Sequence, residues 1–300
     1  MSSILINIAR LNLCRTIWHK LHSKYSDAES YDAFVAAMNE QAKEWGLANT
    51  KWINPSGLGE NGVYSQSTAN DLSIMSLRAF GVKECKSHDS QGYELSIKKP
   101  YLIPGHRSKK KIVYSTTTIE TIGDNYPIIG SKTGSGDGYQ TLVMVCDIKG
   151  IKVAGAIMNA EDEQGRFEAM DELMRIGYKI LYEHGGTKNM KVSKAKNASL
   201  CVMDKEGKTN HIFTQNADEV SAPMSTTKVM TWAIARQYIS DWQKMEYIIP
   251  FDTKETGNDI LYDWDKLTIE DMKQAMMRHS SNVAANAIAR IVGAMILEKK

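Results

Sequence analysis

Strand-like runs occur in both halves of this chain, and neither half holds a complete sheet of its own. The apolar runs at residues 141–146 and 151–158, separated by Asp147-Ile148-Lys149-Gly150, read as a β-hairpin. Residues 199–203 and 211–214, turning at Asp204-Lys205-Glu206-Gly207, read as a second, and residues 93–130 are β-rich. Between them fall helical patterns. One covers residues 31–45, with Phe34, Met38 and Trp45 near one face and Gly46 as its stop. Another runs from a Ser67 or Thr68 cap to about Phe80. A third covers about 163–183, with Phe167, Met170 and Met174 buried, a fourth follows Pro223, and a last covers 268–297. A length of 300 residues suits two domains, but strands divided in this way argue against two independent ones.

Composition removes other classes. Thirty-seven basic residues nearly balance 35 acidic ones, which leaves a nucleic-acid or membrane-surface reading without electrostatic support. Arg107 and Lys109-Lys110-Lys111 read as a solvated loop or strand edge. There is no run of eighteen apolar residues to form a transmembrane helix, and the apolar stretch at residues 4–9 makes a poor signal peptide. Cys14, Cys85, Cys146 and Cys201 are scattered without a CxxC pair, so no zinc site or dense disulfide framework is expected, and Cys146 and Cys201 read as small core residues.

Three short motifs bear chemistry. A serine three residues before a lysine on one helix face can pass its hydroxyl proton to the amine. Four such pairs occur, beginning at Ser96, Ser108, Ser193 and Ser225, and only Ser225-Thr226-Thr227-Lys228 opens an apolar-periodic helix. There Ser225 would sit near free backbone amides able to stabilise an oxyanion. The plainer reading is a helix-capping serine beside an exposed lysine. Ser280-Ser281-Asn282 supplies a hydroxyl and an amide for proton relay and peptide binding, or else another cap. Lys132-Thr133-Gly134 offers a cation and a hydroxyl for a carboxylate, with Gly134 permitting close backbone approach, or else an ordinary turn.

Together, Ser-x-x-Lys, Ser-x-Asn and Lys-Thr-Gly form a known signature. The chain resembles the D-alanyl-D-alanine carboxypeptidases, the low-molecular-mass penicillin-binding proteins, whose fold is shared with class A β-lactamases. The likeness extends to Ser199-Leu200-Cys201-Val202-Met203-Asp204, Ala222-Pro223-Met224-Ser225, Asn54-Pro55-Ser56-Gly57-Leu58, Gly130-Ser131-Lys132-Thr133-Gly134 and Arg166-Phe167. It covers about 260 residues, whereas residues 1–30 have no clear counterpart.

The order departs from that of the family. There Ser-x-x-Lys comes first, followed by Ser-x-Asn, Asn-Pro-x-Gly-Leu and Lys-Thr-Gly; here the last two precede the nucleophile. The complementary halves read as a circular permutation of one domain, joined near 185–196, which is tolerated where chain ends lie close. The resemblance implies an α/β (α+β) fold, β-lactamase/transpeptidase-like, with an antiparallel five-stranded sheet flanked by helices. Residues 1–300 are expected to form one permuted domain, with a helical subdomain of approximately 236–300 plus 1–90 and an α/β subdomain of approximately 91–235.

It also implies a serine-type D-Ala-D-Ala carboxypeptidase acting on peptidoglycan stem peptides and acylated by β-lactams. Ser225 would be the nucleophile, Lys228 its base, and Ser280 the proton donor to the leaving amine. Asn282 would hold the substrate amide, Lys132 and Thr133 the terminal carboxylate, and the backbone N–H groups of Ser225 and Ser135 the oxyanion beside Gly134. No metal or organic cofactor is implied, and the setting would be the cell envelope. Alternatives are a serine β-lactamase, for which Glu60 is the nearby candidate base though expected to be a surface carboxylate, or a weak penicillin-binding sensor or permuted relic. A monomer is expected, with a domain-exchanged dimer as the rival arrangement.

Overall fold

A computed structural model describes residues 24–80, 101–103, 111–113, 117–122, 125–183, 190–254 and 256–300. The expectations for Cys14, Cys85, Ser96, Ser108, the basic run up to Lys110 and much of the joint lie outside these residues.

The first helix, α1 (Asp27–Glu44), begins earlier than its apolar pattern suggests. Ser26 and Glu29 form a reciprocal capping box, which satisfies amides of the first turn. Phe34, Met38 and Ala42 face the core, and the helix ends at Gly46, whose φ of +72° suits glycine. Thr68 caps α2 (Ala69–Phe80) by accepting from the Asp71 amide. Short strands β1 (Tyr101–Ile103) and β2 (Lys111–Val113) pair with each other ahead of α3 (Thr117–Ile122).

The central sheet is antiparallel throughout, in the order β3-β4-β5-β6-β7. β3 (Ile128–Gly136), β4 (Tyr139–Ile148) and β5 (Ile151–Ala160) precede α4 (Gly165–Tyr182). β6 (Ala195–Met203) and β7 (Thr209–Gln215) follow it. Both expected hairpins are present, and the pairing of β5 with β6 joins the two strand sets into one five-stranded sheet.

Alternation along the strands divides the core. Leu142, Met144, Cys146, Val153, Ile157 and Leu200 turn to the face covered by α4, whose Phe167, Met170 and Leu173 meet them. Val143, Val145, Ala154, Ala156 and Cys201 point to the opposite face, where α2 packs and the helical layer begins. Cys146 and Cys201 are buried and not disulfide-bonded.

After β7 the chain turns through a 3-10 segment (Met224–Thr227) into α5 (Lys228–Tyr238). The small pair β8 (Met245–Tyr247) and β9 (Lys266–Thr268) leads to α6 (Ile269–Arg278) and α7 (Asn282–Glu298). The sequence reads one helical stretch over 268–297, but the chain breaks at Ser280, where φ is +61°. α7 packs along α1, and Gly293 allows that approach: a Cβ there would lie 1.7 Å from the Ser30 carbonyl oxygen. No described helix is long and apolar enough to cross a membrane.

Candidate active site

The turn carrying Ser225 is fixed from two sides. Met224 adopts a left-handed φ of +50°, uncommon for a side chain of its size, and the 3-10 geometry places residues three apart directly over one another. Ser225 therefore precedes the α-helix instead of opening its first turn, and Lys228 is the first α-helical residue. From the sheet side, the Thr141 hydroxyl donates to the Pro223 carbonyl at 3.0 Å. Gly134 is pressed against the turn, since a Cβ on it would lie 2.9 Å from the Ser225 nitrogen.

The Asn54–Leu58 loop closes the other side. The Asn54 side chain accepts from the Gly57 amide at 2.7 Å and donates to the Leu58 carbonyl at 2.7 Å, holding the turn shut. Gly57 has a φ of +78°, and a Cβ there would come within 1.9 Å of the Met224 carbonyl oxygen. The Thr231 hydroxyl donates to the Pro55 carbonyl at 2.6 Å, tying this loop to α5.

Within that frame Lys228 is fully buried. Its Nζ lies 2.8 Å from Ser225 Oγ, 2.8 Å from Asn282 Oδ1 and 2.7 Å from the Ser56 carbonyl oxygen. Burial first, and then the positive charge of Lys132, hold its proton affinity well below that of an ordinary lysine. Lys132 is buried as well, and donates to the Thr133 carbonyl at 2.7 Å and to Ser280 Oγ at 3.0 Å. Its pKa is lowered to about 7, by burial and then by Arg166. Ser225, Ser280, Asn282 and Thr133 are each partly exposed and so open to a ligand.

The structure thus brings Ser225, Lys228 and Asn282 together, and joins Lys132 to Ser280. Thr133, Gly134 and Ser135 lie on β3, the edge strand of the sheet beside the Ser225 turn. By contrast, Ser193 donates to Glu172 at 2.6 Å while Lys196 pairs with Glu219, so that Ser-x-x-Lys is split between two surface carboxylates. Glu60 is exposed in a tight turn, with its backbone bonded to Val63 and its charge acting on Tyr31.

Sequence reasoning gave no role to two side chains. Arg166, buried on α4, reaches the Gly134 carbonyl at 3.2 Å, Ser135 Oγ at 2.5 Å and Gln140 Oε1 at 3.0 Å. The one available signal was its place in the Arg166-Phe167 pair. Asp259, in the loop before β9, accepts from Ser281 Oγ at 2.7 Å and from the Asn282 amide at 2.9 Å. No spacing rule links residues 22 or 23 positions apart across a loop, so nothing in the sequence marked it.

A basic, buried amine against a serine hydroxyl, beside a cationic sheet edge, is equipped for acyl transfer to the hydroxyl from a substrate that bears an anion. Comparison with known proteins bears on this. Residues 26–162 match the family model described as D-alanyl-D-alanine carboxypeptidase. A 46-residue stretch is 52% identical to the D-alanyl-D-alanine carboxypeptidase DacF of Bacillus subtilis (strain 168), covering 15% of this chain and 11% of that protein. No solved structure matches the chain. The family match contains Lys132, Thr133, Gly134 and Ser135 and ends before Ser225, Lys228, Ser280 and Asn282.

Proposed function

From the match of residues 26–162 to the D-alanyl-D-alanine carboxypeptidase family model, we propose that this protein is a serine-type D-Ala-D-Ala carboxypeptidase working through an acyl-enzyme. The observation that carries the reading is the three-way environment of the Lys228 amine. Neutral, that amine has two N–H donors and one lone pair. The Ser56 carbonyl and Asn282 Oδ1 can only accept, so they occupy both donors, and the lone pair is left to the Ser225 hydroxyl. Burial beside Lys132 favours the neutral amine, and a neutral amine is the form that can take a proton.

The steps follow. Ser225 Oγ attacks the carbonyl of the penultimate D-Ala as its proton passes to Lys228, and the oxyanion lies between the backbone N–H groups of Ser225 and Ser135. The Ser280 hydroxyl, which accepts from Lys132, hands its proton to the departing D-Ala amine as the C–N bond breaks and takes up in return the proton that Lys228 drew from Ser225, so Lys132 keeps its charge for the carboxylate. Lys132 and Thr133 bind the terminal carboxylate, and Arg166 adds positive charge behind them. Water then hydrolyses the ester, returning the proton and freeing Ser225. The substrate places the protein at the cell envelope. A β-lactam carries the same carbonyl and carboxylate and acylates the same serine.

Incubation with a fluorescent penicillin followed by denaturing electrophoresis tests this directly. One covalent band is expected, lost in Ser225→Ala and reduced by at least about 10³-fold in rate in Lys228→Ala. No band, or an undiminished one in Ser225→Ala, overturns the assignment. The rival β-lactamase reading requires a deacylating base, and its candidate, Glu60, is an exposed residue of a tight turn. Rapid turnover of a chromogenic cephalosporin would reverse the order of the two readings.

A further inference from the structure

Helix α7 begins at the residue that touches Lys228, and its first amides are held by two separate caps. The Ser281 hydroxyl accepts from the Ala284 amide at 3.0 Å, the usual local arrangement. The second cap comes from a distant loop: Asp259 Oδ2 accepts from the amides of Asn282 at 2.9 Å and Val283 at 3.2 Å. Oδ1 accepts from the Ser281 hydroxyl at 2.7 Å and the Leu261 amide at 3.2 Å. The same loop offers the Thr256 carbonyl to the Asn282 amide nitrogen at 3.4 Å. A helix of this length, with a serine cap of its own, does not need a carboxylate as a second cap in order to form.

What the second cap does hold is the segment just before the helix. Ser280 sits at a φ of +61°, a conformation that persists in a serine only where its surroundings over-determine it. It is followed within two residues by Asn282, whose oxygen meets Lys228. Two charged groups act on Lys228 from neighbouring elements: Lys132 on β3, which opposes its protonation, and Asp259, which favours it. Its remaining partners, Ser56, Ser225 and Asn282, are neutral.

We propose that Asp259 is a positioning residue for acyl transfer: its carboxylate pins the Ser280–Asn282 segment opposite Ser225 and brings a negative charge to the segment that meets Lys228. The inference rests on the carboxypeptidase reading above, and adds a residue that acts through Ser280, Asn282 and Lys228 without touching substrate.

Two variants separate the parts. Asp259→Ala removes both the anchor and the charge, and is expected to lower the second-order rate of penicillin acylation about 10- to 100-fold, because a displacement near 1 Å is enough for such a loss. Asp259→Asn keeps the size and one accepting oxygen. It is expected to recover most of the maximal rate while moving the acid limb of the pH–rate profile to lower pH, since Lys228 loses the charge that favours its protonation. The same downward move is expected when Lys228 is titrated by NMR of ¹³C-labelled lysine. Thermal melts of both variants establish that they are folded.

Wild-type rates and an unmoved acid limb in both folded variants would overturn the proposal. So would equal losses in both variants with an unmoved Lys228 titration, which is the result expected of a purely structural cap. If the wild-type protein forms no acyl-enzyme, the carboxypeptidase reading falls by itself. Asp259 is then judged by the NMR titration alone, and an unshifted Lys228 in Asp259→Asn overturns its coupling to the site.

Discussion

Lys132 and Lys228 are both fully buried, which no well-packed core requires. Lys132 is the more instructive of the two for stability. In the unfolded chain it titrates near 10.5, and in the folded protein near 7. Between those values the unfolded state binds the extra proton, so the lysine's contribution to stability rises with pH across the window and is least favourable below about pH 7. Lys132→Met, close in volume and uncharged, is therefore expected to melt higher than the wild type at pH 6, by about 2–4 °C for each kcal/mol recovered. The gap should narrow as pH approaches 10 while the variant loses penicillin binding throughout. Calorimetry over that range checks it, and a variant that melts lower at pH 6 would contradict the argument. A matching effect is expected in catalysis. The KM for a peptide with a free terminal carboxylate should rise above pH 7, as the Lys132 cation is lost.

The loop and helix ends around Ser225 are coupled as elements, and two glycines of similar φ allow the coupling to be measured. Gly57 (φ +78°) would drive a Cβ into the Met224 carbonyl, whereas Gly62 (φ +77°) would place one in open space. Alanine at Gly62 is expected to impose backbone strain of about 1 kcal/mol and leave acylation unchanged. Alanine at Gly57 adds displacement of the Ser56 carbonyl from Lys228, and is expected to lower the acylation rate at least about tenfold. Equal acylation by the two variants would separate the loop from the site. Much at this scale was legible beforehand. The apolar runs at 141–146 and 151–158 and the turn formers between them set the first hairpin, and the spacing of Phe167, Met170 and Met174 set α4. What stayed hidden has a physical cause in each case. The left-handed break at Ser280 leaves no trace in apolar periodicity, because Met276, Met277 and Val283 are buried on either side of it. The capping by Asp259 and the reach of Arg166 to β3 are contacts across folded elements, which a pattern read along the chain cannot register.

For the whole molecule, the pairing of β5 with β6 is the decisive contact, because it places strands from the first and second halves side by side in one sheet covered on both faces. We read the motif order as a circular permutation of one domain, with the Lys132 edge and the Ser225 turn supplied by the same chain. On that reading the protein sediments as a monomer, and mixing Ser225→Ala with Lys132→Ala does not restore acylation. If penicillin labelling returns in the mixture, together with a dimeric mass, the sites are shared by domain exchange and the permutation reading is lost.

The same arrangement governs when the site can exist during synthesis. Lys132 leaves the ribosome 150 residues ahead of Asn282, an interval of roughly eight to thirty seconds at ordinary elongation rates. Within it β3, β4 and β5 are completed first, β6 and the nucleophile turn follow, and the α7 cap comes last. The growing chain thus carries an anion-attracting edge with no serine to react. On the proposed reading it becomes capable of acylation only once Asn282 has emerged and α7 docks along α1.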